Sequence, residues 1–353
     1  MTALDAEVAG PQGPATPRES SESPTAPTAG PWRQAWRDLR RNKVAMGSLV
    51  VLVLIVLACV AAPLYESAIA HTDAFTSNVQ GVIVIDGQQV RVLESSSEGL
   101  GLGVNPIGPT WTNQYLLGAD NQGRDVAARM LYGGRNSILI GFASAILCCV
   151  VAGIVGIVAG FFGRGVDAVL SRGLDVLWAF PVYLLAICLS VVLINSSVSV
   201  GPVTLTSGSL WLPIVIIGLV YVPYVARPVR GQVMSLRERE FVQAAVGAGA
   251  PDLRLLRREI LPNVLPTIIV FLPLMAAINM LTEAALSFLS IGVQPPEASW
   301  GTIINDGVGL LYTRPWVALA PGIMLAITAV VLNLLGDGVR DSLDPKARLR
   351  GAA

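Results

Sequence analysis

The side chains best suited to metal or nucleophilic chemistry are scarce in this sequence. His71 is the only histidine, so a metal site built from several histidines is excluded, and a Ser–His or Cys–His pair would depend on this one residue. The cysteines lie in apolar segments, which predicts small core residues and not a disulfide or metal framework; they are Cys59, Cys148, Cys149 and Cys188. The sequence therefore indicates no metal site and no catalytic residue, which disfavours a membrane enzyme.

The sequence carries no signature of nucleotide or nucleic-acid binding. The dipeptide Gly-Lys does not occur, so the chain has no Walker A loop. We therefore expect no cofactor in this chain, and any ATP to be bound by a partner chain. The 24 lysines and arginines balance the 24 aspartates and glutamates, and a net charge of zero implies no nucleic-acid partner.

Three polar residues inside strongly apolar segments could serve a transport pathway. They are Asp175, Asn279 and Glu283. Intramembrane carboxylates are candidate ion sites, so an ion-coupled secondary transporter that uses Asp175 or Glu283 is one hypothesis. The alternative is that these residues hydrogen-bond to neighbouring helices. In either case we expect Glu283 to face the helix bundle, because a carboxylate facing lipid costs about 2.5 kcal/mol or more.

Residues 240–262 form a polar island between apolar segments. Their pattern predicts two short helices. Gly247 and Gly249 are expected to end the first helix, because glycine adopts the left-handed cap conformation without a Cβ clash. Pro251 suits the first turn of the second helix, and Pro262 is expected to end it. An amphipathic loop lying on the membrane surface is the other interpretation of this stretch.

The composition is that of a polytopic membrane protein. Hydrophobic residues make up 53% of the chain and charged residues 14%, whereas soluble domains carry about a quarter charged residues. In the second apolar segment, Gly153, Gly156 and Gly160 are expected to let a neighbouring helix approach closely. Six segments are long enough to cross a bilayer, at residues 46–64, 138–162, 174–194, 212–233, 265–291 and 316–335.

These segments divide the chain into five predicted regions. They are a disordered cytoplasmic tail (1–30), a basic amphipathic helix with the first span (31–65), an extracytoplasmic insertion (66–134), a core (135–335) that includes a cytoplasmic loop (237–263), and a cytoplasmic tail (336–353). Within the insertion, residues 82–92 alternate around Asp86-Gly87, which predicts a β-hairpin. This hairpin either faces a partner protein or is a decorative insertion.

The positions of lysine and arginine predict the orientation in the membrane. One side carries the basic residues from Arg33 to Lys43, then Arg164 and Arg172, seven arginines from Arg227 to Arg258, and four basic residues from Arg340. The opposite loops contain only Arg91, Arg124, Arg129, Arg135 and Arg314. Because the basic side of a membrane protein is cytoplasmic, both termini are expected inside the cell and the hairpin outside.

Three stretches resemble one family of transport proteins. Residues 240–262 resemble the EAA loop of permease subunits of bacterial ABC importers, with glutamine in place of the family's glutamate at Gln243. Residues 117–137 and 333–350 resemble other segments of the same family. The chain thus resembles the C-type permease subunit of dipeptide, oligopeptide and nickel importers, apart from its N-terminal tail and the insertion at 66–112.

This resemblance implies a fold and a set of partners. The fold would be all-α, with about six transmembrane helices in the type I ABC importer permease arrangement and a small extracytoplasmic β-hairpin. The partners would be a homologous permease, two cytoplasmic ATPase subunits and an extracytoplasmic solute-binding protein, assembled in the bacterial cell membrane. Transport would proceed by alternating access driven by ATP, with no covalent chemistry in this chain.

The resemblance also implies a role for the loop and a class of substrate. In the family this loop docks into a groove on the ATPase. Gln243 keeps the size of glutamate but loses its charge. Di- and oligopeptides are the expected substrates, and nickel complexes and glutathione remain alternatives. The residues of the expected ATPase-coupling loop are Glu240, Gln243, Ala244, Ala245, Gly249, Ile260, Leu261 and Pro262.

Overall fold

A computed structural model describes residues 31–343, except residue 86 and the segments 96–102, 195–197, 201–202 and 206–208. The predicted disordered tail at residues 1–30 lies outside the described residues, as does the segment 344–353. Within the described part, the helices are α1 Pro31–Arg41, α2 Lys43–Val60, α3 Ala62–Tyr65, α4 Val126–Phe162, α5 Arg164–Ala179, α6 Val182–Ile194, α7 Trp211–Val220, α8 Val222–Arg237, α9 Glu240–Gly247, α10 Asp252–Arg254, α11 Leu261–Phe288, α12 Trp300–Val308 and α13 Trp316–Leu343.

Helices α1 and α2 meet at a capped corner. Asn42 accepts hydrogen bonds from the backbone N–H groups of Val44 and Ala45, both at 3.1 Å, which satisfies two N–H groups that a helix start leaves unpaired. Helix α2 is the first predicted span. After α3, a π-helical segment at Glu66–Ala70 leads into the insertion.

Helix α4 is the centre of the bundle and contacts α2, α7, α8, α11 and α12. The predicted packing glycines of α4, Gly153, Gly156 and Gly160, lie where other helices come close. A Cβ atom on Gly156 would lie 2.8 Å from the carbonyl oxygen of Ala226, and one on Gly160 would lie 2.8 Å from that of Arg230. Gly153 faces Ile268 of α11. Because backbone carbonyls cannot move aside as side chains do, small residues at 156 and 160 set the α4–α8 distance.

Two of the six predicted spans are broken helices. Helices α5 and α6 meet at 90° and α7 and α8 at 43°. Phe180 is extended at φ −91° and ψ 139°, because the ring of Pro181 disfavours a helical conformation in the residue before it. Four described helices or helical runs are long and apolar enough to cross a membrane, and six if each bent pair forms one span. The prediction of about six membrane helices in an all-α chain is thus confirmed, although the third and fourth are not straight.

The last two spans are longer than predicted. Helical structure is continuous from Asp252 through a π-helical segment, Leu255–Ile260, to the end of α11 at Phe288. The sixth span is α13, which continues to Leu343. It therefore includes the first part of the predicted C-terminal tail.

The strands in the described part of the chain form three antiparallel hairpins outside the helix bundle. Strand β1 pairs with β2 in the register Val82 to Arg91, and Gly87 in the turn has φ +80°, so the predicted hairpin is confirmed. A further hairpin, β5 with β6, lies between the third and fourth spans. The strands are β1 Val82–Ile85, β2 Gln88–Arg91, β3 Leu93–Ser95, β4 Val104–Pro106, β5 Val198–Val200 and β6 Val203–Leu205.

The cysteines are all free, but one differs from its predicted environment. Cys59, Cys148 and Cys149 are buried as expected, whereas Cys188 on α6 is exposed. Helix α6 packs against α7 and α11 on one side, so its other side faces outward in the isolated chain. An apolar sequence predicts residence in protein or lipid, and it does not distinguish the two for a helix that is apolar all round.

Candidate functional site

Residues 238–262 project from the bundle between α8 and α11, and we call this segment the α9–α10 corner. Val242, Leu255 and Ile260 are buried within the main core and attach the corner to the bundle. On the outer side, Phe241, Val246 and Leu253 are 44%, 50% and 65% exposed. The corner therefore combines a rigid attachment with an outward apolar surface, which is the arrangement that a protein-docking element requires.

Gly249 makes the turn between the two short helices. It adopts the left-handed conformation at φ +77°. Its N–H donates to the carbonyl of Val246 at 2.9 Å, and the N–H of Ala250 donates to that of Ala245 at 3.1 Å, so the last carbonyls of α9 are satisfied. A Cβ atom on Gly249 would have no neighbour within 4 Å. The requirement for glycine is thus a matter of backbone conformation and not of space.

A chain of hydrogen bonds connects the corner to α8 and α4. The side-chain amide of Gln243 donates to the carbonyl of Arg237 at 2.7 Å. The Arg237 guanidinium in turn donates to the carbonyl of Gly160 at 3.2 Å. Ala245 packs partly against the core, while Glu240 and Ala244 are exposed. The position of α9 is therefore tied to the ends of both long helices.

The prediction that Pro262 ends the second helix is wrong. Leu261 donates to the carbonyl of Leu256, one residue farther back than in an α-helix. This shift places Pro262 in the first turn of α11, where its missing N–H and its ring are tolerated. The second short helix therefore runs directly into α11, so a displacement of the corner acts on that span without an intervening loop.

An open cleft of about 330 Å³ separates the corner from the ends of α4 and α8. Apolar side chains of α4 and α9 line it together with polar side chains of α8 and the corner. The lining residues are Phe161, Phe162, Arg237, Val242, Gln243, Val246, Asp252 and Leu255. The cleft is thus part of the same outward surface as the corner.

Asn279 and Glu283 lie one turn apart on α11 and face α4. Both are fully buried. Asn279 lies 3.0 Å from the hydroxyl of Ser144. Glu283 accepts hydrogen bonds from the hydroxyls of Ser137 at 3.0 Å and Ser287 at 2.6 Å. These contacts place both residues at helix interfaces in this conformation.

Glu283 also holds the short helix α12. The N–H of Trp300 donates to Ser137 Oγ at 3.1 Å, and Ser137 donates to Glu283, so three helices meet at one carboxylate. The sequence indicates Glu283 as a candidate residue but does not indicate its serine partners. Serine is common in membrane helices, and nothing local distinguishes these from the others.

Asp175 is not near the other two predicted pathway residues. It lies on α5, where it pairs with Arg227 of α8 at 3.0 Å, and both side chains are about half exposed. A second pair joins Asp167 of α5 to Arg230 of α8. The predicted set of Asp175, Asn279 and Glu283 is therefore divided between an exposed face and a buried interface.

A buried ion-pair network connects the start of α4 to α12 on the side away from the corner. Asp306 lies 3.1 Å from the guanidinium groups of both Arg124 and Arg129, and Asp120 completes the network at 2.8 Å from Arg124. Burial raises the pKa of the Asp306 carboxyl, and the two arginines oppose that rise. Among the described residues, no group of three or more His, Cys, Asp or Glu side chains could hold a metal ion.

Comparison with known proteins identifies the family. Residues 152–349 match the sequence model of the binding-protein-dependent transport system inner membrane component, and residues 30–76 match that of the N-terminal TM domain of oligopeptide transport permease C. A chain of the MetNI methionine ABC transporter in an inward-facing conformation is similar in structure, with a TM-score of 0.49 and 18% identity over 61% of this chain and 96% of that chain.

Two curated relatives align with nearly the whole chain. The dipeptide transport system permease protein DppC of Alkalihalophilus pseudofirmus is 33% identical over 90% of this chain and 91% of its own length. The oligopeptide transport system permease protein OppC of Bacillus subtilis is 35% identical over 90% of each chain. Together with the family model, which covers more than half of the sequence, these matches show that the chain belongs to the family of binding-protein-dependent transport system inner membrane components.

Proposed function

We propose that this chain is the permease subunit of an ATP-driven importer of di- and oligopeptides, and that it forms the translocation pathway with a second, homologous permease. The observation that carries the proposal is the α9–α10 corner, which is anchored by buried residues and apolar on its outer side. The relatives described above are peptide permeases by name, and this supports peptides as the substrate over nickel complexes or glutathione.

In this proposal the corner contacts one of two cytoplasmic ATPase subunits, which bind the ATP. An extracytoplasmic solute-binding protein delivers the peptide on the opposite side, where the β1–β2 hairpin would lie. The excess of arginine in the N-terminal helix, the corner and the end of the chain supports cytoplasmic termini. The assembly would reside in the bacterial cell membrane.

The geometry supports a specific route for coupling. When the ATPases close around ATP, they would move α9 and α10 together with the surface that they contact. Because Val242 and Leu255 are buried in the bundle and α10 runs directly into α11, this movement would be transmitted to α8 and α11 as rigid bodies. Such rocking of helices around a central site is alternating access.

Uptake by proteoliposomes that contain the whole importer tests this function against the ion-coupled alternative. Labelled tri-alanine and the binding protein are supplied outside, ATP is enclosed or omitted, and ionophores collapse the proton and sodium gradients. We expect uptake that requires both ATP and the binding protein and is unchanged by the ionophores. Uptake without ATP that disappears when the gradients collapse would overturn the proposal in favour of a secondary transporter.

A further inference from the structure

A half-exposed cluster of charged and aromatic side chains lies where α5, α8 and α11 meet. We call Asp175, Trp178, Tyr224, Arg227 and Phe271 the α5–α8 cluster. Arg227 pairs with Asp175 at 3.0 Å and stacks over the Trp178 ring at 5.5 Å. The Tyr224 ring lies 6.2 Å from both the Trp178 and the Phe271 rings. The cluster thus places a cation, an anion and three aromatic faces side by side.

The cluster lies part-way along the helices of the bundle. Arg227 is ten residues before Arg237, the end of α8, which corresponds to about 15 Å along the helix axis. Its neighbour Ala226 contacts Gly156 of α4, and Gly156 is six residues, about 9 Å, before the end of α4 at Phe162. Asp175 lies four residues before the end of α5 at Ala179, beside the break between α5 and α6. The charged pair is therefore part-way along the two bent spans and not at their outer ends.

Lipid is an unfavourable environment for the face of the bundle that carries the α5–α8 cluster. The Asp175 and Arg227 side chains are 56% and 42% exposed in the isolated chain. The other charged pair, Asp167 with Arg230, also joins α5 to α8. Charged side chains at membrane depth face the bundle interior or a water-filled cavity. The face that carries the cluster is thus turned towards water or protein between the two permeases.

We propose that the α5–α8 cluster is a binding site in the pathway for the charged termini of a small zwitterionic peptide, a site that rests on the proposed function. The Asp175 carboxylate would accept from the peptide ammonium, and the Arg227 guanidinium would donate to the peptide carboxylate. The aromatic faces of Trp178, Tyr224 and Phe271 would contact peptide side chains of many kinds. Every peptide carries both termini, so the contacts do not depend on its sequence.

The charge pair also explains why such a site would release its ligand. Asp175 and Arg227 already satisfy each other, so a peptide only exchanges one ion pair for two others. Binding is therefore expected to be weak and rapidly reversible. A transport pathway needs that property, because conduction requires a substrate to leave as readily as it enters.

Cysteine labelling in the assembled importer tests this inference. In a Cys188→Ser background, the other native cysteines are buried, and Tyr224→Cys places a reporter beside the intact charge pair. A matched control, Leu177→Cys, lies two residues from Asp175 on the opposite side of α5 and is 37% exposed in the native chain. The importer is held in nanodiscs and treated with a water-soluble trimethylammonium methanethiosulfonate, with tri-alanine or its N-acetyl, C-amide form present.

We expect tri-alanine to slow the labelling of Tyr224→Cys severalfold and to leave Leu177→Cys unchanged. The blocked peptide should not slow labelling, and adding Asp175→Asn with Arg227→Gln should remove the effect of tri-alanine. Equal slowing by the blocked peptide, or slowing that persists in the neutral variant, would overturn the inference. So would a Tyr224→Cys that reacts only with a lipid-soluble maleimide.

Two measurements separate this inference from the proposed function. Co-purification of the ATPases and unchanged labelling at Leu177→Cys show whether the neutral variant keeps its fold. ATP-driven uptake of tri-alanine by the parent importer, without peptide protection at Tyr224→Cys, would reject the site alone. Protection without any ATP-driven uptake would support the site and reject the proposed function.

Discussion

Gln243 holds α9 in place with a hydrogen bond that a glutamate could not make. Its amide N–H donates to the carbonyl of Arg237, and an ionised carboxylate has no proton to donate. Glutamate is the residue that the family resemblance implies at this position, and it has the same size as glutamine. The structure gives a reason for the difference, because this chain uses a donor at position 243.

We predict that Gln243→Glu and Gln243→Ala loosen the corner to a similar and small extent. The hydrogen bond is exposed, so its loss should cost at most about 1 kcal/mol. Hydrogen exchange of the α9 backbone amides should accelerate severalfold in both variants, with uptake reduced but not abolished. Unchanged exchange in Gln243→Glu would show that the hydrogen bond to Arg237 does not hold α9.

Glu283 is the second residue whose partners make a definite prediction. Glu283→Leu would leave the Ser137 and Ser287 hydroxyls without their acceptor inside the bundle, which should destabilise the subunit by about 2 kcal/mol. Glu283→Gln retains an acceptor oxygen and the side-chain shape, so it should cost less. Thermal unfolding of the detergent-purified subunit would measure both. Equal stability of Glu283→Leu and the parent would show that this carboxylate does not hold the three helices together.

At the scale of elements, the apolar length of each segment predicted the spans, but it did not predict their bends. Segment 174–194 is strongly apolar after Asp175, yet it breaks at Pro181, and the fourth span bends near Pro223. A proline can end, kink or start a helix. Pro262 lies within the first turn of a helix and Pro181 lies between two. The surrounding packing decides the outcome, and one sequence does not contain that information.

Helix α4 packs against α8 at a distance set by two glycines, so we predict that a larger residue at either glycine destabilises the bundle. Gly156→Ala and Gly160→Ala would each bring a Cβ atom to 2.8 Å from a carbonyl oxygen of α8, and such overpacking typically costs about 1–3 kcal/mol. Gly173→Ala on α5 is the control, because its Cβ atom would have no neighbour within 4 Å. Thermal unfolding should separate the first two variants from the third, and a common midpoint for all three would contradict the close packing.

At the scale of the whole molecule, the membrane class, the helix order and the corner at residues 240–262 could be predicted from sequence. These features depend on local composition and on short runs of residues. The contacts that close the structure could not be predicted in this way. Asp306 meets Arg124 across 182 residues, and Asp175 meets Arg227 across 52 residues. Nothing near a charged residue in the sequence identifies a partner so far along the chain.

The central claim is that the α9–α10 corner couples this subunit to ATP hydrolysis, and Gly249 offers the most direct test. Valine at the left-handed position would cost on the order of 1 kcal/mol or more and would change the angle between the two short helices. The spans should still insert, because their apolar lengths are unchanged. Gly249→Asn is the matched control, since asparagine tolerates the left-handed conformation.

The measurement is peptide uptake and ATP hydrolysis by the purified importer in proteoliposomes, with and without loaded binding protein. For Gly249→Val, we predict near-normal abundance in the membrane, loss of uptake, and ATP hydrolysis that no longer responds to the loaded binding protein. Gly249→Asn should keep most of both activities. Transport at the normal rate by Gly249→Val would contradict the assignment of residues 240–262 as the coupling element.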